Sequence, residues 1–223
     1  MSPIKVIYQN SEIAVIEKPA GMLSQRDANG EDGLVEILSG QLDATVYPVH
    51  RLDRKVGGVM VYALTKKAAA SLSAENAFTK TYLAAVSGVP DGFADTGEMV
   101  DYLFKDGAKG KSFVVKSDRK GAKLAKLAYE KLASTETEHG RLSLFKIKLF
   151  TGRTHQIRVQ FASRGMSLVG DGKYGSRIKS ESIALWSHKI KLNAPVNAKT
   201  TVFTSFPSSE TWFEIFNLEN KNN

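Results

Sequence analysis

His50-Arg51-Leu52-Asp53-Arg54-Lys55-Val56-Gly57-Gly58 leads straight into the apolar run Val59-Met60-Val61-Tyr62-Ala63. The stretch sets one carboxylate, Asp53, among three fixed cations, Arg51, Arg54 and Lys55, with a histidine at its head. Nearby positive charge favours the ionised form of a carboxylate. The glycine pair closes a loop and the apolar run reads as a strand. A loop seated on a strand can present a reactive side chain from a rigid base. Two readings of Asp53 stand side by side at this point. It is a chemical centre, or it is one member of a surface ion-pair cluster.

Working outward toward the N-terminus, Ile4 to Tyr8 and Ile13 to Glu17 read as short strands joined by Gln9-Asn10-Ser11. Lys18-Pro19-Ala20-Gly21 stops the second strand, and a polar loop follows through Gln25 to Gly30. Gly33 to Leu38 is a short helix, and Val46 to Val49 leads back to His50.

Toward the C-terminus, Thr65 caps a helix from Lys66 to about Asn76. Lys80 to Val86 is a strand carrying Tyr82, and Gly88 to Gly92 is a turn. Val100 to Phe104, Ser112 to Val115 and Leu124 to Leu132 are further strands, the last also open to a helical reading from its Ala and Lys content. Arg141 to Leu149 alternates clearly, with Phe145, Ile147 and Leu149 on one face and Lys146 and Lys148 on the other. Thr154 is positioned to cap a helix that ends near Gly165, with His155 and Arg158 on one face and Ile157 and Phe161 docking it. Gly170 to Gly175 is rich in turn residues, and Ile183 to Leu192 and Thr201 to Thr204 close the chain. Many short strands and few strong helices predict an α+β fold: a mixed, mostly antiparallel β-sheet with flanking helices. With no repeat and no linker, residues 1–216 are expected to form one domain, followed by a polar, frayed tail at 217–223.

At 223 residues the chain can bury a substantial core, and 42 % apolar with 24 % charged residues is ordinary for a soluble globular protein. The net charge of +8 suits a polyanionic partner, nucleic acid or an anionic surface. The absence of cysteine excludes disulfides, thiol nucleophiles and cysteine-ligated zinc. His50, His139, His155 and His188 lack metal-ligand spacing, so no metal is expected. Neither a signal peptide nor a run of about 20 apolar residues is present, and a cytoplasmic monomer with no membrane contact is the expectation.

Gly110-Lys111-Ser112 imitates the end of a phosphate-binding loop. The glycine that motif requires falls on Lys105, and Phe113-Val114-Val115 reads as a strand where a helix is needed. A stronger constellation is Gly152-Arg153-Thr154-His155-Gln156-Ile157-Arg158. Its arginines, histidine and glutamine supply many donors for an oxyanion, a phosphate or a carboxylate.

Taken in order, Lys18-Pro19-Ala20-Gly21, His50-Arg51-Leu52-Asp53, Lys80-Thr81-Tyr82-Leu83-Ala84, Gly152 to Arg158, and Gly170-Asp171 with Tyr174-Gly175 resemble the RluA-type RNA pseudouridine synthases. The resemblance runs from about Ile4 to Phe206. It implies a central basic RNA-binding cleft and an isomerase that detaches uracil from ribose C1′, turns it and rejoins it through C5, without cofactor or metal. It implies Asp53 as the essential carboxylate, Arg158 as its partner and Tyr82 as the ring stacked on the target base. Arg51 would fill the gap left by a flipped nucleotide. Lys18, His50, Arg153, His155, Gln156 and Lys173 would be further RNA contacts or loop anchors. The partner implied is a structured stem-loop of tRNA or rRNA.

The chain departs from that pattern in three places. Val56-Gly57 replaces the usual Thr-Ser. Met166 to Val169 lacks the proline usual before Gly-Asp, and there is no room for an N-terminal S4 domain. A noncatalytic RNA-binding or ribosome-assembly protein on the same scaffold is the main rival, and Val56-Gly57 is its support. A second rival is an enzyme of small phosphorylated metabolites.

Overall fold

The computed structural model describes residues 2–207 and 210–216, and the chain divides into two compact units. The first unit runs to Lys80 and resumes at Trp186–Pro207; the second holds Thr81–Leu185 and the described residues after 207. The expected tail at 217–223 lies outside the described residues.

In chain order the elements begin with β1 (Lys5–Gln9), β2 (Ile13–Lys18), α1 (Leu34–Leu42), β3 (Tyr47–Pro48), β4 (Gly57–Ala63) and α2 (Lys66–Leu72). Next come β5 (Phe78–Ser87), β6 (Thr96–Asp106), β7 (Lys111–Val115), β8 (Lys123–Thr137) and β9 (Gly140–Leu149). The chain closes with α3 (Gln156–Ala162), β10 (Ser167–Leu168), a 3-10 turn at Gly172–Tyr174, β11 (Leu185–Leu192), β12 (Val202–Thr204) and α4 (Thr211–Glu214).

In the first unit, β4 is buried along its whole length, as its continuous apolar sequence dictates. β2 lies antiparallel to it, from Ile13 opposite Ala63 to Lys18 opposite Gly58, and β1 is antiparallel to β2. On the other edge β4 meets β3 antiparallel and β11 parallel, and β12 extends β11. Period-2 alternation sends Ile13, Val15, Val59, Val61 and Ala63 to one face, where Ala68 and Leu72 of α2, Ile190, Leu192 and Phe203 cover them. Thr65 caps α2 as expected, its hydroxyl accepting from the Ala68 N–H at 3.1 Å, but the helix stops at Leu72.

In the second unit the strand order is β5-β9-β8-β6-β7, with β10 on β5. β6 to β9 pair antiparallel, and β8 bulges between Lys131 and Ala133. The sheets are mixed and mostly antiparallel, and the fold is α+β. The segment open to two readings, β8, is a strand because Ala125, Leu127 and Tyr129 alternate inward, and burial at period 2 overrides helical composition. α3 lays Ile157 and Phe161 on the sheet, the Phe161 ring centroid 5.3 Å from that of Phe145. Its start differs from the sequence reading. Thr154 does not cap it: the N-cap is His155, in the left-handed region at φ 54°.

Candidate active site

The loop that carries Asp53 is held by groups from the end of β2 and the loop that follows it. Lys18, the last residue of β2, is fully buried. Its ammonium donates to three carbonyls, Pro19 at 2.9 Å, Arg54 at 3.1 Å and Val56 at 2.8 Å. Burial pushes this ammonium down to about 7, Asp53 pulls it back toward the charged form and Arg54 opposes it. Three carbonyl acceptors converge on the amine, so Lys18 acts as a staple beneath the loop. Ser24 pins the other side: its hydroxyl donates to the Leu52 carbonyl at 2.9 Å and accepts from the Leu52 N–H at 3.1 Å. The buried Tyr62 hydroxyl fixes Ser24 through its carbonyl at 2.7 Å, and burial raises the Tyr62 pKa. Within the loop, the Val56 N–H donates to the Asp53 carbonyl at 3.0 Å, closing a tight turn. Asp53 itself is half-buried.

The cations around Asp53 are therefore arranged differently from their order in the sequence. Arg54 turns to the Gly21 carbonyl at 3.0 Å and to Glu31 at 2.8 Å. Arg51 and Lys55 are exposed. His50 is turned inward, its Nε2 accepting from the Val61 N–H at 3.0 Å and its ring 5.1 Å from that of Phe78. An accepting Nε2 requires a neutral ring. Burial, with Lys80 nearby, holds its pKa well below the ordinary histidine value. Lys80 is pushed to about 8 by burial, with its Nζ 5.0 Å from the centre of the Phe78 ring.

The two glycines after the loop have a packing cause. A Cβ at Gly57 would run into the Trp186 ring, and one at Gly58, at φ 114°, into the Ser187 backbone. The Val56-Gly57 departure thus goes with a tryptophan that occupies the space a side chain at 57 would need.

The second unit gathers Arg158, Asp171, Tyr174 and His155. Arg158 is 5 % exposed and grips Asp171 bidentately, Nε to Oδ2 at 2.6 Å and Nη2 to Oδ1 at 2.8 Å. Its guanidinium carbon lies 5.0 Å from the centre of the Tyr174 ring, and Lys111 Nζ lies 4.8 Å from the same ring. The Tyr174 hydroxyl accepts from the Ser112 N–H at 2.8 Å and bonds His155 Nδ1 at 2.9 Å. His155 and Arg158 do converge, as their spacing suggested, and Tyr174 is where they meet.

Gln156 is buried and structural. Its Oε1 accepts from the Thr151 hydroxyl at 2.8 Å and the Arg153 N–H at 3.0 Å, and its Nε2 donates to the Lys126 carbonyl at 3.1 Å. Arg153 is exposed and donates through Nε to the Leu124 carbonyl at 2.9 Å. Lys173 donates to the Gly110 carbonyl at 3.0 Å. Tyr82 lies on β5 and is 6 % exposed.

A model of one protein family, RNA pseudouridylate synthase, matches residues 12–163. The chain belongs to the RNA pseudouridylate synthase family. It is an isomerase of RNA uridine by that membership. The synthase is similar to a tRNA pseudouridine synthase C of Yersinia pestis, 31 % identical over 91 % of this chain and 86 % of that protein. It is also similar to the tRNA pseudouridine synthase C of Vibrio parahaemolyticus, 28 % identical over 97 % and 96 % of the two chains. A ribosomal large subunit pseudouridine synthase D of Borreliella burgdorferi matches at 29 % over 92 % of this synthase and 66 % of its own length. Among solved structures, human RNA Pseudouridylate Synthase Domain Containing 1 shares the fold, with a TM-score of 0.76 and 21 % identity over 94 % of this chain and 87 % of that one.

Sequence reasoning missed Ser24, the Asp171 partner of Arg158, and Trp186. Asp171 stood in the quoted Gly170-Asp171 pair, and its signal was the lone acid in a stretch that also holds Lys173 and Tyr174. Ser24 carries no local signal, since its partner Leu52 is 28 residues away. Among the described residues no group of three or more His, Asp or Glu is placed to hold a metal ion.

Proposed function

We propose that Asp53 is the catalytic carboxylate of uridine isomerisation in a stem-loop of tRNA or rRNA. The observation that carries this reading is the loop beneath it. Lys18 and Ser24 hold the backbone on both sides of Asp53, which leaves the side chain at a fixed place on a rigid base. Such care with a loop backbone suits a group that must meet one atom of a substrate.

The reaction breaks the N1–C1′ bond, turns the uracil, forms the C5–C1′ bond and moves a proton from C5 to solvent while N1 gains one. Asp53 serves by adding to C1′ or by taking a ribose proton; either role needs the ionised carboxylate. Tyr82 stacks on the base near the C5 proton, and Arg158 is the arginine that the family resemblance assigns to the site. A uridine within a helix must first be flipped out, at about a few kcal/mol, and Arg51 fills the space it leaves. His50 Nε2 and Gln156 Oε1 accept from backbone N–H groups, so both residues act here as supports rather than RNA contacts. Lys18 is a loop anchor. The relatives named for tRNA and for large-subunit rRNA support these two substrate classes.

The decisive experiment maps pseudouridine in tRNA and rRNA from cells with the gene, without it, and with Asp53→Asn. The expected result is one or a few positions lost on deletion and not restored by Asp53→Asn, with folding and RNA binding retained. Conversion by the Asp53→Asn protein would overturn the assignment. The rival of a binding protein without catalysis predicts no lost position, and Gly57, its main support, has its own packing cause.

A further inference from the structure

A cavity of about 420 Å³ opens in the second unit, lined by Leu103, Phe104, Lys105, Lys123, Arg153 and Thr154 among others. Its volume lies within the roughly 300–1,000 Å³ range of ligand sites. No acidic side chain lines it, while three cations do. That is not the habit of this unit's sheet and helix. Lys126 pairs with Glu98, Lys131 with Asp95, Lys146 with Glu130 and Arg164 with Asp101. Among the described residues neither Lys105 nor Lys123 forms an ion pair, and Arg153 spends only Nε, on Leu124. The two terminal nitrogens of its guanidinium remain for a ligand, and the Nε bond fixes how they are aimed.

The rest of the lining is apolar and aromatic. Leu103 forms buried floor, and Phe104 is a half-buried ring with the Arg119 guanidinium 4.0 Å from its centre. Cations around an aromatic wall suit a phosphate joined to a base better than a bare anion. The opposite side of the lining meets the Tyr174 cluster. Ser112 lines the cavity, donates from Oγ to the Thr154 carbonyl at 2.8 Å, and offers its N–H to the Tyr174 hydroxyl.

We propose that this cavity holds an unpaired nucleotide of the substrate RNA other than the target uridine. Its phosphate rests on Arg153, Lys123 and Lys105, and its base lies along Leu103 and Phe104. The inference rests on the RNA reading above and adds a recognition subsite to it. Occupancy would press on Ser112 and Thr154, and so on the frame that holds Tyr174 beside Arg158.

The test uses the full chain and fluorescein-labelled octauridylate, whose binding needs no catalysis. Three proteins are compared: wild type, the Lys105→Gln/Lys123→Gln double variant, and a charge-matched Lys189→Gln/Lys191→Gln double variant on exposed positions of β11. The expected result is about tenfold weaker binding for the first double variant alone, with its log–log salt dependence shallower by about 1.4, the value for two lost phosphate contacts to a single strand. Amide signals of Ser112, Gly121 and Thr154 should shift when octauridylate is added and should not shift for the Lys105/Lys123 variant. Equal losses in both double variants would mean diffuse charge attraction and would overturn the proposal, as would unchanged binding in the first. Pseudouridine formation by wild type on total RNA is read in parallel. Lost isomerisation with intact subsite binding would fault the catalytic reading, and the reverse would fault this one alone.

Discussion

The Asp53 loop and the Arg158 cluster each hold one charged side chain in place, by opposite means. The loop is fixed through its backbone: Lys18 and Ser24 bind the carbonyls of Leu52, Arg54 and Val56. The cluster is fixed through side chains: the bidentate grip of Asp171 and the Tyr174 ring hold the Arg158 guanidinium. The difference predicts how each region fails. A backbone-held site tolerates substitution of the group it displays. A side-chain-held site loses its framework when either partner changes, because a buried charge loses its bidentate partner.

Asp171→Asn should expose that difference most. The amide keeps the shape and loses the charge, leaving Arg158 buried at 5 % exposure with no bidentate carboxylate. Breaking a buried ion pair costs about 3–5 kcal/mol, which urea unfolding would read directly. A loss below about 1 kcal/mol would mean that the pair does not support this unit.

Gly57→Ser comes next. It restores a hydroxyl common at this place in the family and drives a Cβ into Trp186. Overpacking of this kind costs about 1–3 kcal/mol. Adding Trp186→Leu should recover part of the loss, and failure to recover would show that Trp186 is not the obstacle.

The smallest effect is a slope. Folded Lys18 titrates near 7, against 10.5 for an ordinary lysine. Between those values the unfolded chain holds the extra proton, so wild-type stability gains from Lys18 as pH rises through the window. Lys18→Met removes that gain. Urea unfolding at pH 7 and pH 9 should show the wild type rising relative to the variant, and parallel curves would rule out a depressed Lys18.

Much of the scaffold was legible in the sequence because alternation is a local property. β9 declares itself by alternation and β2 and β4 by short apolar runs, whereas β8 stayed open to a helical reading until its inward alternation decided it. Asp53 stands out as a candidate because charge density and glycines sit beside it. The means of holding it do not. The resemblance offered Lys18 as an RNA contact or a loop anchor without choosing, and its burial arises only when three carbonyls converge on it. His155 reads as the first residue of a helix, whereas its left-handed backbone sets it outside, against Tyr174. Asp171 and Arg158 are 13 residues apart across a turn, a separation that no periodicity reports.

The parallel contact between β4 and β11 bears on the order in which the protein becomes competent. Ser187 donates to the Val59 carbonyl at 2.9 Å across 128 residues of chain, and Trp186 packs on Gly57. Synthesis proceeds from the N-terminus at about 5–20 residues per second. The Asp53 loop therefore leaves the ribosome early and waits for its last brace until β11 emerges. A partly made chain displays the aspartate without the strand that steadies the glycines behind it.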